Sequence, residues 1–292
     1  MRAVLALALG TAPAIAWLVY FYRRDRYEPE PLRHVAKFFG LGALVTIPAG
    51  LVNVFAAGFL PTEYHVAVAV APLVEEAGKF FVALLLLRGL AECDEPIDGA
   101  IYAVSTAFGF AALENAEYVL RHGESVMVVR SLFSTLGHGL FAVPWGVALG
   151  LQLCGMGRSL LTAASLGVGM ALHSTFNLLV GAEHPAAMGI FLLVALPAFL
   201  LVARYALRRA LRLSPFAGAP LCQRCGEPVL PSSRFCGSCG SEAPTAWRCA
   251  ACGAHAPTTA DFCGQCGRAR SSIGPARSTQ SVASPPGAQR IG

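Results

Sequence analysis

The sequence predicts an all-α polytopic membrane bundle of about seven transmembrane helices, followed by a small cysteine-rich tail. Three observations carry that reading. The 292 residues are 55% hydrophobic and only 13% charged, against about 25% charged in ordinary soluble domains. Mean hydropathy is +0.57, so a water-soluble fold would lack the polar groups to cover its surface, whereas lipid solvates an apolar exterior. Finally, eight of the ten cysteines fall between Cys222 and Cys266, which separates a membrane domain (residues 1–213) from a tail of different chemistry. The net charge of +5 is clustered at helix flanks, and topology accounts for it better than nucleic-acid binding does.

A membrane span needs about 20 mostly apolar residues. Seven stretches qualify: 3–22, 35–59, 65–90, 99–120, 126–152, 159–181 and 186–207. Pro48, Pro144 and Pro197 lie inside spans, where neighbouring helices make them tolerable. In the fourth span Gly99, Ala103, Ala107 and Ala111 recur every fourth residue, a small-residue stripe that lets another helix approach closely. Orientation follows from the Lys/Arg bias. With the N-terminus outside, Arg23, Arg24, Arg26, Arg33, Lys37, Arg88, Arg158, Arg204, Arg208, Arg209 and Arg212 all fall on the inner side, leaving Arg2, Arg121 and Arg130 on or near the outer one. The competing reading is a cleavable signal peptide ending near Ala14-Ile15-Ala16, which would invert the rest and place the tail in an oxidising compartment.

Ionisable residues at depth are costly, usually face the bundle interior, and mark function. The third span carries Glu75, Glu76 and Lys79, with the lysine one turn below both carboxylates. Phe110 and Glu114 are one turn apart in the fourth span. Arg130, Ser134 and His138 share a face of the fifth, and His173 and Asn177 a face of the sixth. At 1.5 Å per residue, Glu75 and His138 lie roughly 15–18 Å from the outer surface and Glu114 and His173 roughly 9–12 Å. Four antiparallel helices thus offer polar groups in one layer, which reads as a single site open toward the outer side. Any one of these groups alone could be a packing hydrogen bond; Glu117 and Arg88 lie near span ends and snorkel.

The run Arg23-Arg24-Asp25-Arg26-Tyr27-Glu28-Pro29-Glu30-Pro31 resembles the start of PrsW-type intramembrane proteases, relatives of the CAAX-processing proteases. Glu75-Glu76-Ala77-Gly78-Lys79 is similar to that family's EExxK, and Phe110 to Glu114, followed by Asn115, to its FxxxE. His138 stands where a lone histidine is expected, His173 to Asn177 fits HxxxN/D, and Asp98-Gly99 precedes the fourth span as in the family. The resemblance covers roughly residues 10–185. It implies hydrolysis of a peptide bond of a single-span regulatory membrane protein, such as an anti-sigma factor, in the cell membrane.

The residues themselves allow that chemistry. Amide hydrolysis needs an activated water, a donor for the developing oxyanion and a proton for the leaving amine. Glu75 is the expected base, supported by Glu76, with Glu114 in the same layer and Lys79 and Arg130 as supporting cations. His138, or His173 with Asn177, would hold the water or the oxyanion. Two His and a Glu are also the ligand set of some catalytic zinc sites, so a catalytic metal stays open. There is no HExxH or GxSxG and no Asp inside a span for an aspartyl dyad. The competing functional class is a proton-coupled transporter or a non-catalytic binding protein using the same Glu/His cluster, though no inverted repeat of the transporter kind is visible.

The tail reads Cys222-x2-Cys225-x10-Cys236-x2-Cys239 and then Cys249-x2-Cys252-x10-Cys263-x2-Cys266, a 27-residue repeat. Each pair ends in glycine, at Gly226, Gly240, Gly253 and Gly267, as a tight knuckle requires. Two zinc ions, each held by four thiolates, are expected, and the pattern resembles a double zinc ribbon (222–240 and 249–267). Four disulfides would instead need an oxidising compartment. Residues 214–221 form a linker and 268–292, rich in Ser, Pro, Gly and Ala, are expected to be disordered. With few basic side chains, and Phe235 and Phe262 expected to form miniature cores, the ribbons suit a protein partner better than nucleic acid. Cys93 and Cys154 lack sequence partners and are expected only to pack.

Overall fold

The structure is a computed structural model. It describes residues 1–269 except 91, 92, 183, 218, 220, 227, 230–232, 237, 244, 245, 258 and 259. The expected disordered tail therefore lies almost wholly outside the described residues.

Among the described residues seven helical rods succeed one another: α1 (Arg2–Tyr22), α2 (Leu32–Ala57), α3 (residues 63–87), α4 (Pro96–His122), α5 (Glu124–Leu153), α6 (Ser159–Gly181) and α7 (Pro185–Leu213). Six are long and apolar enough to cross a membrane. The remaining one, α3, has span length but carries Glu75, Glu76 and Lys79 in its middle, the composition that sets it apart from its neighbours. Leu51, Val54, Phe55, Leu85, Leu160 and Leu193 stand exposed on the outside, as a lipid-facing surface requires.

The bundle is organised around α4. Its apolar window is 94% buried, against 17–22% in α1, α2, α6 and α7, so α4 is the axis and those four form the lipid-facing wall. Small residues make this possible. A Cβ on Gly109 would sit 1.8 Å from the Phe39 carbonyl of α2, one on Gly42 2.0 Å from the Thr106 carbonyl, and one on Gly99 2.3 Å from the Gly146 carbonyl of α5. Gly10 likewise lies against the Ala112 carbonyl, and Ala6, Ala14, Leu18 and Phe21 of α1 are buried. The first helix is thus part of the packed bundle.

Three rods contain a π-helical turn of five residues: Val66–Val70 in α3, Arg130–Ser134 in α5 and Phe191–Ala195 in α7. Each lies near the N-terminal end of its rod. Such turns widen the helix and re-aim the side chains of the next turn, and the first two lie just before Glu75 and His138.

The tail contains two knuckle repeats and a short antiparallel pair, β1 (Ala246–Arg248) with β2 (His255–Pro257). Gly226, Gly240, Gly253 and Gly267 all have φ between 69° and 79°, the left-handed region that glycine occupies without a steric penalty. In each knuckle the glycine N–H donates to the carbonyl of the cysteine four residues earlier, at 2.8–2.9 Å.

Candidate active site and zinc sites

Between α3, α4, α5 and α6 the expected layer of polar side chains forms one connected network. Glu76 is its most fully occupied member. One carboxylate oxygen accepts from Lys79 Nζ at 2.6 Å and faces His173 Nδ1 at 3.1 Å, and the other accepts from Trp145 Nε1 at 3.1 Å. Both Glu76 and Lys79 are fully buried. A buried pair is tolerable only when its remaining donors and acceptors are also satisfied, and here the histidine and the indole do that. Lys79 also lies 3.1 Å from His138 Nδ1 and 4.4 Å above the Phe110 ring.

On the other side, Glu114 accepts from Arg130 Nη2 at 2.7 Å and faces His138 Nε2 at 3.0 Å. Arg130 is held in turn: its Nε donates to Asn115 Oδ1 at 2.7 Å, and its guanidinium lies 3.6 Å from the centre of the Tyr118 ring. Asn115 then donates to Thr135 Oγ1 at 2.8 Å. Glu114 and Arg130 retain side-chain exposures of 19% and 14%, against 0–8% for the rest of the cluster, so the network opens on their side.

Glu75 differs from its two neighbours. It is buried, and its Oε2 has no hydrogen-bond partner among the described residues. His173 Nε2 lies 3.9 Å from that oxygen. Glu76 and Glu114 each face a cation at hydrogen-bond distance, so Glu75 is the carboxylate left uncommitted. The His173 ring is fixed from both sides, by Glu76 at Nδ1 and by Phe141 stacked at 4.7 Å.

Of the expected site residues, Glu75, Glu76, Lys79, Glu114, Arg130, His138 and His173 come together. Asn177 does not join them: its amide donates to the Ala67 carbonyl at 2.7 Å. The π turn at Val66–Val70 frees carbonyls that an α-helix would have paired, and Asn177 takes one. Two participants had no sequence signal of their own. Trp145 lies in an otherwise apolar run, and Asn115 stood out only as the neighbour of Glu114.

Glu75, His138 and His173 each offer a ligand atom within 4.8 Å of the other two, all buried. With a Glu75 oxygen that no donor occupies among the described residues, this two-His, one-carboxylate set fits a catalytic metal ion. His138 imposes a condition. While Lys79 donates to Nδ1, the neutral ring carries its proton on Nε2 and donates to Glu114. A metal bound at Nε2 would move that proton to Nδ1 and leave Lys79 with Glu76 as its acceptor.

In the tail, paired sulfurs lie 3.6 Å apart: Cys222 with Cys239, Cys225 with Cys236, Cys249 with Cys266, and Cys252 with Cys263. A disulfide needs about 2.05 Å, whereas thiolates about 2.3 Å from a tetrahedral zinc stand roughly 3.8 Å from each other. None of the ten cysteines is in a disulfide. Hydrogen bonds favour the thiolate: the Ser241 hydroxyl and backbone N–H groups pull Cys222 down to about 5, and the N–H groups of Cys252 and Ala251 pull Cys249 down to about 6. These are two structural zinc sites. The expectation for Phe235 and Phe262 is corrected, since they are 58% and 63% exposed. The cysteines themselves, with Val229 in one ribbon and Ala256 in the other, form the miniature cores, leaving no interior for a phenyl ring.

A polytopic helical bundle with a buried Glu/His network and a metal-bearing tail is the class of protein that fold and site define. Residues 30–202 match the family model described as PrsW family intramembrane metalloprotease, and residues 222–267 that of a double zinc ribbon. The chain is 34% identical over 192 residues to Protease PrsW of Geobacillus kaustophilus (strain HTA426), covering 64% of this chain and 85% of the relative. It is 31% identical over 184 residues to Protease PrsW of Bacillus subtilis (strain 168), covering 60% and 83%. No solved structure matches the chain. The chain belongs to the PrsW family and is a multi-pass membrane protease with a double zinc ribbon at its C-terminal end.

Proposed function

We propose that this chain is an intramembrane endopeptidase that cleaves a single-span regulatory membrane protein, of the anti-sigma-factor kind, using Glu75 as the general base. One observation carries the assignment: Glu75 is the buried carboxylate of the network whose Oε2 has no partner among the described residues. Glu76 and Glu114 are held by Lys79 and Arg130, and a carboxylate locked to a cation is a poor proton acceptor.

A water held between Glu75 and His173 Nε2 gives its proton to Glu75 as it attacks the scissile carbonyl. Glu75 then passes that proton to the leaving amine. Glu76 fixes the His173 ring through Nδ1, so Nε2 stays directed at the reacting centre. The partly exposed Arg130, together with the Nε2–H of His138 that reaches the same Glu114 carboxylate, stabilises the developing oxyanion. Lys79 neutralises Glu76 and holds His138 in orientation. If a metal ion is resident, Glu75, His138 and His173 would hold it, and it would supply Lewis acidity that makes the bound water more acidic.

The chain is placed in the cell membrane with the basic loops and the zinc ribbons on the cytoplasmic side, where reduced thiols favour zinc over disulfides. The ribbons are assigned to binding a protein partner. The deciding experiment is cleavage of candidate single-span substrates by reconstituted protein, beside Glu75→Gln. Loss of turnover with an unchanged melting curve is expected; activity within a few fold of wild type would refute the role of Glu75. Zinc analysis of the full chain separates the two chemistries. Three ions, falling to two in His138→Ala, would favour a catalytic metal, and two ions in an active protein would favour Glu and His unaided.

A further inference from the structure

A second buried acidic cluster lies at the end of the bundle where the α1–α2 loop, the start of α4 and the end of α7 meet. Asp25, Glu95 and Asp98 are 5%, 0% and 1% exposed. One carboxylate oxygen of each lies within 4.8 Å of the other two. Glu30, also buried, closes the cluster by accepting from the Tyr102 hydroxyl.

The oxygens divide into two sets. One set is engaged: Asp98 Oδ2 accepts the N–H groups of Asp94 and Glu95 at 2.9 and 2.8 Å, Glu95 Oε2 accepts the Ser214 hydroxyl, and Asp25 Oδ1 faces the Tyr27 N–H at 3.4 Å. The other set has no N–H or hydroxyl donor among the described residues: Asp25 Oδ2, Glu95 Oε1 and Asp98 Oδ1, with the Asp25 carboxyl facing that of Glu95 and the Asp98 carboxyl that of Glu30. Each engaged oxygen pins its carboxylate while the second oxygen has no such donor. A buried carboxylate oxygen without a donor costs several kcal/mol in rough terms, and three together repel one another.

Arginine is abundant here yet is not used. Arg23, Arg24 and Arg26 flank Asp25 in sequence, but Arg24 stacks over the Tyr20 ring at 4.3 Å, and no Lys or Arg among the described residues reaches the donor-free oxygens. Simple neutralisation would have turned one of these neighbours inward. Convergent, oxygen-only, donor-free and anionic groups are the ligand chemistry of a hard divalent cation, which takes six to eight oxygens at about 2.3–2.6 Å for calcium or six at about 2.0–2.1 Å for magnesium.

We propose that Asp25, Glu95 and Asp98 form a binding site for a hard divalent cation, calcium or magnesium, distinct from the catalytic network and from the zinc ribbons. Glu30 adds a fourth carboxylate at its rim. The ion joins the α1–α2 loop to the first turn of α4. Through Glu95 and Ser214 it also secures the point where the chain leaves α7 for the tail, beside the buried Phe216.

The test uses the full zinc-loaded chain in detergent, dialysed against zinc-containing buffer free of calcium and magnesium. Calcium and magnesium are then titrated separately while bound metal and the melting temperature are followed. One equivalent of calcium or magnesium beyond the zinc should bind, with a rise of about 5 °C or more at saturation. Asp25→Asn and Glu95→Gln should each weaken binding at least tenfold while zinc content stays unchanged. Glu75→Gln should bind the cation as wild type does, which separates this site from the catalytic one. At pH 8 or above and without calcium or magnesium, where the carboxyl groups ionise, the two variants should melt at or above wild type, because they remove repulsion; loss of a merely structural hydrogen bond would lower them. No saturable binding of either cation, or binding unchanged in both variants, would overturn the proposal.

Discussion

At the scale of single residues, the candidate active site is built on unequal sharing of partners. Glu75 and Glu76 are adjacent in sequence, yet a helix turns about 100° between them, and their surroundings diverge accordingly. Glu76 meets Lys79, His173 and Trp145, while Glu75 meets no donor at hydrogen-bond distance on Oε2. Lys79→Met should therefore act on stability as well as activity, because it leaves Glu76 charged and buried without its cation. The expected loss is about 3–5 kcal/mol, measurable as a lower unfolding midpoint. Trp145→Phe removes the indole donor together with part of a fully buried ring and should cost about 1–3 kcal/mol. Equal losses in the two variants would mean that the salt bridge is not the larger contribution. The acidic cluster permits a pH test of the same kind. Burial lifts Asp25 to about 6, Glu30 to about 7 and Glu95 to about 8. Their folded values exceed those of the unfolded chain, near 4, so the native state binds more protons and stability falls as pH rises from about 4 to 8. Melting at pH 5 and pH 8 should show that decline without divalent cations, and millimolar calcium or magnesium should flatten it.

At the scale of elements, the decisive contacts are between backbones. α2 and α4 touch where Gly109 meets Phe39 and Gly42 meets Thr106. Gly109→Ala forces a methyl group into the α2 main chain and should destabilise the bundle by about 1–3 kcal/mol or more. Gly40, one residue beyond Phe39, has nothing within 4 Å of a built Cβ, and Gly40→Ala should change stability by no more than about 1 kcal/mol. A similar outcome for both would refute the close approach. The spans were legible because apolar length is a composition signal, and the site because one-turn spacings put charged groups on one face at a shared depth. What escaped was pairing across helices. Nothing in the run around Asn177 says that its amide will serve the Ala67 carbonyl, and nothing in the apolar stretch around Trp145 says that its indole will reach Glu76. The second acidic cluster escaped because Asp25 and Glu95 sit in short polar loops, where charge ordinarily means solvent, and the bundle folds both inward.

At the scale of the whole molecule, a membrane bundle is followed by a tail with two zinc sites. The protein should contain two zinc ions in its tail; Cys222→Ser should lower that toward one, since each ribbon supplies its own four thiolates, and Cys93→Ser should leave it unchanged. Metal analysis of the full chain checks both, and an unchanged count in Cys222→Ser would refute separate sites. The repeat was legible from cysteine spacing alone, while the position of the phenyl rings was not, because a ribbon this small is filled by its own sulfurs.

The three π turns bear on how this chain tolerates change in its gene. Each holds one residue more than the α turn it replaces. Loss of a single codon within Val66–Val70 or residues 131–134 could therefore be absorbed locally: the wide turn would close, and the helix on either side would keep its register. Loss of one codon from the uniform stretch of α6 ahead of His173 offers no such slack, since it would rotate the histidine by about 100° relative to everything before the cut. The points of the membrane domain most tolerant of single-residue deletion are thus expected to include the turns directly above its active site.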